Sequence, residues 1–181
     1  AYLCSVGLER LNPEPCPALA ESGYTEAARE INLPSVAISE LAGSVEVSRR
    51  VTNPGPPAQF NFEMHLPDGI GLEVTPASLS LNTGESADFK LKFTSDGTGL
   101  LQWQHGNFSW VNDTHRVYSP FVVKPTEFSA PEFRYGQGGS GRLKIPVGFG
   151  YSGAYSAQIN GLVLPCVLPA TVEADKSCVN T

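Results

Sequence analysis

The chain has 181 residues, enough for one large domain or two small ones. Its 41% hydrophobic and 17% charged residues can bury a core, which excludes a chain that is disordered by composition. A formal net charge of -6 argues against a nucleic-acid or anionic-membrane partner, since either needs a basic face. No apolar run approaches the ~20 residues of a membrane span.

The composition, with 18 Gly and 15 Pro, fits short strands joined by many turns. The opening Ala1-Tyr2-Leu3-Cys4 has neither a start methionine nor a charged signal-peptide head, so the chain reads as a piece of a longer protein. Residues 1–30 hold the only helical signals. Pro17 suits the first turn of a short helix through Ala18, Leu19 and Ala20. Thr25 suits the cap of another over Glu26, Ala27, Ala28 and Arg29. The segment has too few apolar residues to fold alone.

From Ile31 the apolar period becomes two. Val45, Val47, Arg49 and Val51 share one strand face, and so do Phe60, Phe62, Met64 and Leu66. Ile70, Leu72 and Val74 follow, then Leu79 and Leu81, then Ala87, Phe89, Leu91 and Phe93. Val117, Ser119, Phe121 and Val123 close the series. Such alternation means one buried and one wet face, as in an antiparallel sheet. Turn chemistry breaks the series at Asn53-Pro54-Gly55-Pro56-Pro57, Pro67-Asp68-Gly69, Asn82-Thr83-Gly84 and Asp96-Gly97. About seven short strands over residues 31–125 predict an all-β, two-sheet sandwich.

Residues 126–181 read as a small second β domain with a marginal core. Its strands are Leu143, Ile145, Val147 and Phe149, then Tyr155, Ala157 and Ile159; a dense apolar run over 161–168 is stopped by Pro165 or Pro169. The four cysteines allow three connectivities. Local pairs, Cys4 with Cys16 and Cys166 with Cys178, close short loops, each worth roughly 3 kcal/mol in the loop-entropy picture. Zinc ligation and free thiols are the rival readings. Zinc is disfavoured, because neither pair has C-x-x-C spacing or a nearby His. Paired cysteines point to an oxidising, secreted setting.

Catalytic chemistry finds little material. His65 lies on the polar face of its strand, and His105 and His115 fall in or beside a long loop. No Ser sits in a G-x-S-x-G elbow, and no carboxylate pair is spaced for acid–base work. No metal-site pattern is present, so no catalytic, cofactor or metal residue is assigned. Gly136, Gly138 and Gly141 spell G-x-G-x-x-G, but an alternating strand follows where a dinucleotide site needs a helix, which leaves a turn and no cofactor. Asn107-Phe108-Ser109 and Asn112-Asp113-Thr114 are N-glycosylation sequons placed in one exposed loop. The same loop offers Trp103, Phe108 and Trp110 as a possible binding cluster; the plainer expectation has Trp103 in the core and Trp110 covering the loop.

Several segments carry a family likeness. Ile31-Asn32-Leu33-Pro34-Ser35-Val36-Ala37-Ile38 resembles the "DLNYPSIAV" segment that opens the C-terminal fibronectin type III-like domain of plant-type subtilisin-like serine proteases. Val45–Gly55, with Arg49-Arg50-Val51-Thr52-Asn53-Pro54-Gly55, is similar to that family's "V-x-R-T-V-T-N-V-G". Gly69–Leu79 resembles "PPGV-x-V-x-V-x-P-x-x-L". Gly99–Trp103 followed by His115–Phe121 is similar to "G-x-L-x-W-x-D-G-x-H-x-V-R-S-P-I", with residues 104–111 as an insertion in that hairpin. Tyr2-Leu3-Cys4 and Cys16 resemble the end of the family's catalytic domain. Pro54 departs from the usual Val, Phe60 stands where Tyr is common, and residues 127–181 have no counterpart in the plant enzymes. Val147–Tyr155 is similar to a tail segment of bacterial secreted subtilases.

The resemblance implies a fibronectin type III-like β-sandwich over 31–125 and the end of a catalytic domain, or a linker, over 1–30. It implies a non-catalytic accessory region of a secreted subtilisin-like serine endopeptidase, packing against and supporting a protease domain of the same polypeptide. None of the family's triad motifs occurs here, so no catalytic residue carries over. The alternative is a substrate- or surface-binding module for protein or carbohydrate.

Overall fold

Alternation of apolar and polar residues resolves into eight strands between Val36 and Pro125. They are β1 (Val36–Leu41), β2 (Ser44–Thr52), β3 (Ala58–His65), β4 (Ile70–Thr75), β5 (Ser78–Leu81), β6 (Ser86–Ser95), β7 (Gln104–Val111) and β8 (Arg116–Pro125). The computed structural model describes residues 28–130 and 145–158, and the backbone of 167–172 and 178–179. A five-stranded sheet, β1-β8-β7-β3-β5, faces a three-stranded sheet, β2-β6-β4. Neighbours run antiparallel except β1 and β8, which are parallel.

Register follows the sequence pattern. Val45 opposes Phe93, Val47 opposes Leu91, Arg49 opposes Phe89 and Val51 opposes Ala87. Val47, Leu91 and Phe93 are therefore fully buried. The large sheet answers with Phe108, Trp110, Phe121 and Val123, all buried. Phe62 stacks on Phe108 at 5.4 Å and meets Trp110 edge-on at 5.2 Å. Phe89 of the small sheet meets Trp110 at 5.2 Å, and Phe93 meets Phe121 at 5.1 Å, so aromatic rings lock the two layers. Three strands do not fully cover five: Met64 and Val117, inward by alternation, remain 52% and 50% exposed near the margins.

Two sequence expectations change. Residues 104–111 are not an insertion but β7, a central strand paired on both sides with β3 and β8. Its signal is weak for physical reasons. The Phe121 ring lies over Gly106, where any side chain would collide, so an inward position carries no apolar side chain, and Ser109, on the opposite face, is buried as well. The helix expected over Pro17–Ala20 lies outside the described residues. Of the one expected around Thr25–Arg29, the described part, Ala28–Glu30, is a single 3-10 turn.

Beyond β8 the chain forms β9 (Phe128–Ser129), β10 (Pro146–Phe149), β11 (Gly153–Gln158), β12 (Val167–Val172) and β13 (Cys178–Val179). They make a small sheet, β13-β10-β9, and a two-stranded ribbon, β11-β12. The ribbon strand passes through Pro169 instead of stopping there, and an edge strand tolerates a proline. The tail seats on the β1–β2 turn. Phe149 is 1% exposed, Gly150 N donates to Glu127 O at 2.7 Å, and Ser129 Oγ donates to Glu40 at 2.6 Å. A side chain at Gly150 would strike the Thr126 carbonyl, so this close approach requires glycine.

Candidate functional site

Two features of β2 organise the molecule's flank and one end. Arg49 lies on the apolar face of β2, yet it is an arginine, 6% exposed. Its guanidinium donates to the carbonyls of Arg29 (2.7 Å), Ser48 (2.8 Å), Leu33 (3.2 Å) and Ser35 (3.3 Å). Burial lowers its pKa, and nearby Glu30 opposes that shift. Glu30 accepts from Ser48 N at 2.9 Å, while Asn32 both donates to Arg50 O and accepts from Arg50 N. Residues 29–35 are thus clasped along the β2 edge by side chains, which satisfies strand groups that would otherwise invite another strand.

At the far end of β2, the stiff Asn53-Pro54-Gly55-Pro56-Pro57 loop forms one wall of a cleft of about 740 Å³. Buried Asn53 fixes that wall. Its Nδ2 donates to Pro56 O (2.8 Å) and Leu81 O (3.1 Å), its Oδ1 accepts from Gly55 N, and its backbone pairs with the β5–β6 turn. The opposite wall is the β7–β8 turn. There Asn112 Oδ1 accepts from Thr114 N, Thr114 Oγ1 and His115 N, and His115 Nδ1 lies 2.7 Å from Thr114 Oγ1. Phe60, Leu81, Trp110 and Val117 supply the apolar floor. The volume falls in the usual range for small-ligand pockets, and the lining is mainly apolar with a polar rim.

The predicted binding cluster does not assemble. Phe108 and Trp110 are each 3% exposed, inside the core. Trp103 is 48% exposed in the β6–β7 loop, beneath the Lys124 ammonium 5.3 Å from its ring centroid. The two tryptophans have therefore exchanged their expected places, because β7 begins at Gln104 and carries Trp110 inward opposite Val117. The two sequons also part company. Asn107 is half-buried in β7 between His65 and Pro120, whereas Asn112 sits in the turn. His65 is exposed on β3, as its parity predicts; His105 is exposed on β7 rather than in a loop, and His115 is exposed in the β7–β8 turn. The pairing of Cys4 with Cys16 and of Cys166 with Cys178, and the Gly136–Gly141 turn, lie outside the described residues. No group of three or more His, Cys, Asp or Glu is gathered as a metal site among the described residues.

The family model for the fibronectin type-III domain matches residues 30–123. The chain belongs to that family. Curated proteins similar to this fibronectin type-III chain are subtilisin-like proteases. Arabidopsis thaliana SBT5.4 is 33% identical over 96 residues, covering 52% of this chain and 12% of that protein. Arabidopsis thaliana SBT5.6 is 33% identical over 133 residues, 67% of this chain and 16% of that protein. Subtilisin-like serine-protease S of Lotus japonicus is 34% identical over 96 residues, 52% of this chain and 13% of that protein. The chain therefore spans less than a fifth of each of these relatives. Among solved structures, the Pseudomonas aeruginosa CupB2 chaperone aligns with a TM-score of 0.39 and 10% identity over 79% of this chain and 83% of that one, too slight a likeness to argue from.

Within the fibronectin type-III region, the clasp and the cleft went unassigned from sequence. An arginine on the apolar side of an alternating strand is the signal that marks Arg49. Nothing comparable marks the cleft, whose walls come from segments more than 50 positions apart.

Proposed function

We propose that this chain is a non-catalytic accessory region of a secreted subtilisin-like serine endopeptidase, packing against and supporting a protease domain of the same polypeptide. The similarity of its fibronectin type-III region to subtilisin-like proteases, at about one-third identity, carries this reading. Residues 1–30 are then the end of the catalytic domain or a linker, 31–125 the supporting sandwich and 126–181 a β-rich tail. The Arg49 clasp supports the reading, because it fixes the path by which the chain enters the sandwich.

The experiment has two arms. The isolated chain is incubated with a peptide substrate and a serine-directed fluorophosphonate; neither hydrolysis nor labelling is expected. In the protein of which the chain is part, residues 31–181 are deleted, and activity and Tm are both expected to fall. Activity and Tm equal to those of the intact protein would refute the supporting role.

A second reading is a module that binds substrate protein or a carbohydrate surface. The cleft between the β2–β3 and β7–β8 loops favours it, since it is preformed and none of the clasped residues 29–35 lines it. Retention on insoluble protein or polysaccharide, lost on Val117→Asp, supports this reading; retention unaffected by that change removes it.

A further inference from the structure

A second, smaller cavity lies in the tail, about 460 Å³ in volume. Its lining is chemically unusual. Phe128, Phe149, Tyr151 and Tyr155 all face it, together with Glu127 and Ser156. The rings stand nearly at right angles. Phe149 and Tyr151 have centroids 6.0 Å apart at 90°, and Phe149 and Tyr155 are 5.0 Å apart at 71°. Phe149 is 1% exposed and forms the floor, while Phe128, its partner across the β9–β10 ladder, is 62% exposed and stands open to solvent. The Tyr151 hydroxyl donates to the Ala154 carbonyl at 3.3 Å, which fixes that wall.

Among the described residues that line this space, Glu127 carries the one formal charge. Among the described residues, Glu127 has no ion-pair partner and no lysine or arginine lines the cavity. Aromatic faces carry negative potential and attract a cation within about 6 Å, most strongly when it is desolvated. Several rings and one carboxylate-bearing residue lining the same space therefore make a container for positive charge. A bare ammonium also needs strong acceptors on several sides, and here the Ala154 carbonyl already accepts one hydrogen bond, from Tyr151. An N-methylated ammonium needs fewer acceptors, because its methyl groups pack against rings.

We propose that the β9–β11 cavity is a binding site for a quaternary ammonium group, with Phe128, Tyr151 and Tyr155 as its walls and Glu127 as its counter-charge. The proposal is independent of the protease-support reading, since it concerns the tail and not the sandwich.

Choline is titrated into the chain of residues 1–181, followed by the upfield shift of its N-methyl protons and by calorimetry. The neutral carbon analogue 3,3-dimethylbutanol and Nα-acetyl-lysine amide are titrated in parallel. Saturable choline binding is expected, at least tenfold tighter than either comparison compound. Phe128→Ala and Glu127→Gln should each weaken choline several-fold; both positions are exposed, and an unchanged Tm verifies that the fold persists. Binding of the neutral analogue as tight as that of choline would overturn the proposal. So would tighter binding of the lysine amide, absence of saturable binding, or choline affinity unaltered by both substitutions.

Discussion

Replacing Arg49 by methionine tests the clasp most directly. Methionine keeps an unbranched apolar stem between the sheets but removes the guanidinium and its four hydrogen bonds to carbonyl oxygens. A hydrogen bond to a charged group contributes about 1.5–3 kcal/mol net. Four such terms cannot simply be added, for two reasons. Leu33 and Ser35 lie in an exposed segment whose carbonyls water can reach, and losing the guanidinium also removes the penalty of burying it, which is what lowers its pKa. Counting only the two short bonds, to Arg29 and Ser48, the loss is about 3 kcal/mol. For a domain of this size each kcal/mol moves Tm by about 4–8 °C, so thermal unfolding should begin roughly 12–24 °C lower. Amide exchange over residues 29–35 should rise at the same time. Arg49→Lys should recover less than half of the loss, because one ammonium cannot span four carbonyls in a fixed fork. A fall of Tm under about 4 °C in Arg49→Met, with exchange over 29–35 unaltered, would refute the clasp.

Three further outcomes follow from the packing and the charges. Trp110→Ala should cost about 3–5 kcal/mol, whereas Trp103→Ala should change stability by under about 1 kcal/mol; denaturant midpoints of the two variants check the exchange of core and surface roles, and equal losses would contradict it. Phe149→Ala should cost about 3–5 kcal/mol and also lower exchange protection at Thr126 N, which donates to Leu41 O; protection unaltered there would mean that the tail rests on the sandwich without bracing it. Acidification should act through Asp88, held below the usual carboxylate range by hydrogen bonds from Arg50, and through Asp96, held low by the Thr98 N–H. Their folded-state pKa values lie below the unfolded ones, so the stabilisation is present above about pH 4 and lost as pH falls through the lowered values. Melting curves of an Asp88→Asn, Asp96→Asn double variant should show a shallower decline below about pH 4 than the parent chain, and an equally steep one would count against this assignment.

Most of the sandwich was legible because one wet face leaves an alternating trace. The register of β2 with β6 puts Val47 and Phe89 where their parity demands. β7 escaped because glycine holds one of its inward positions, where the Phe121 ring fills the place of a side chain, so its alternation shows only at Phe108 and Trp110. The exchange of Trp103 and Trp110 has the same origin. Which tryptophan turns inward depends on where the strand starts, and that is set by pairing with β3 and β8 rather than by local composition. The cleft and the tail cavity were illegible for another reason. Each gathers side chains from segments that the fold alone brings together, and no short-range pattern encodes such a meeting.

The mismatch of five strands against three has a practical consequence at Met64. It is the only methionine in the sequence, and it sits half in solvent at the edge of the larger sheet. Its thioether is open to peroxide while the fold stays intact, and the sulfoxide would place a polar group on ground that is already wet. Mild oxidation should therefore mark one known position by a single added oxygen mass, a built-in gauge of how far that margin is shielded whenever another body lies across it.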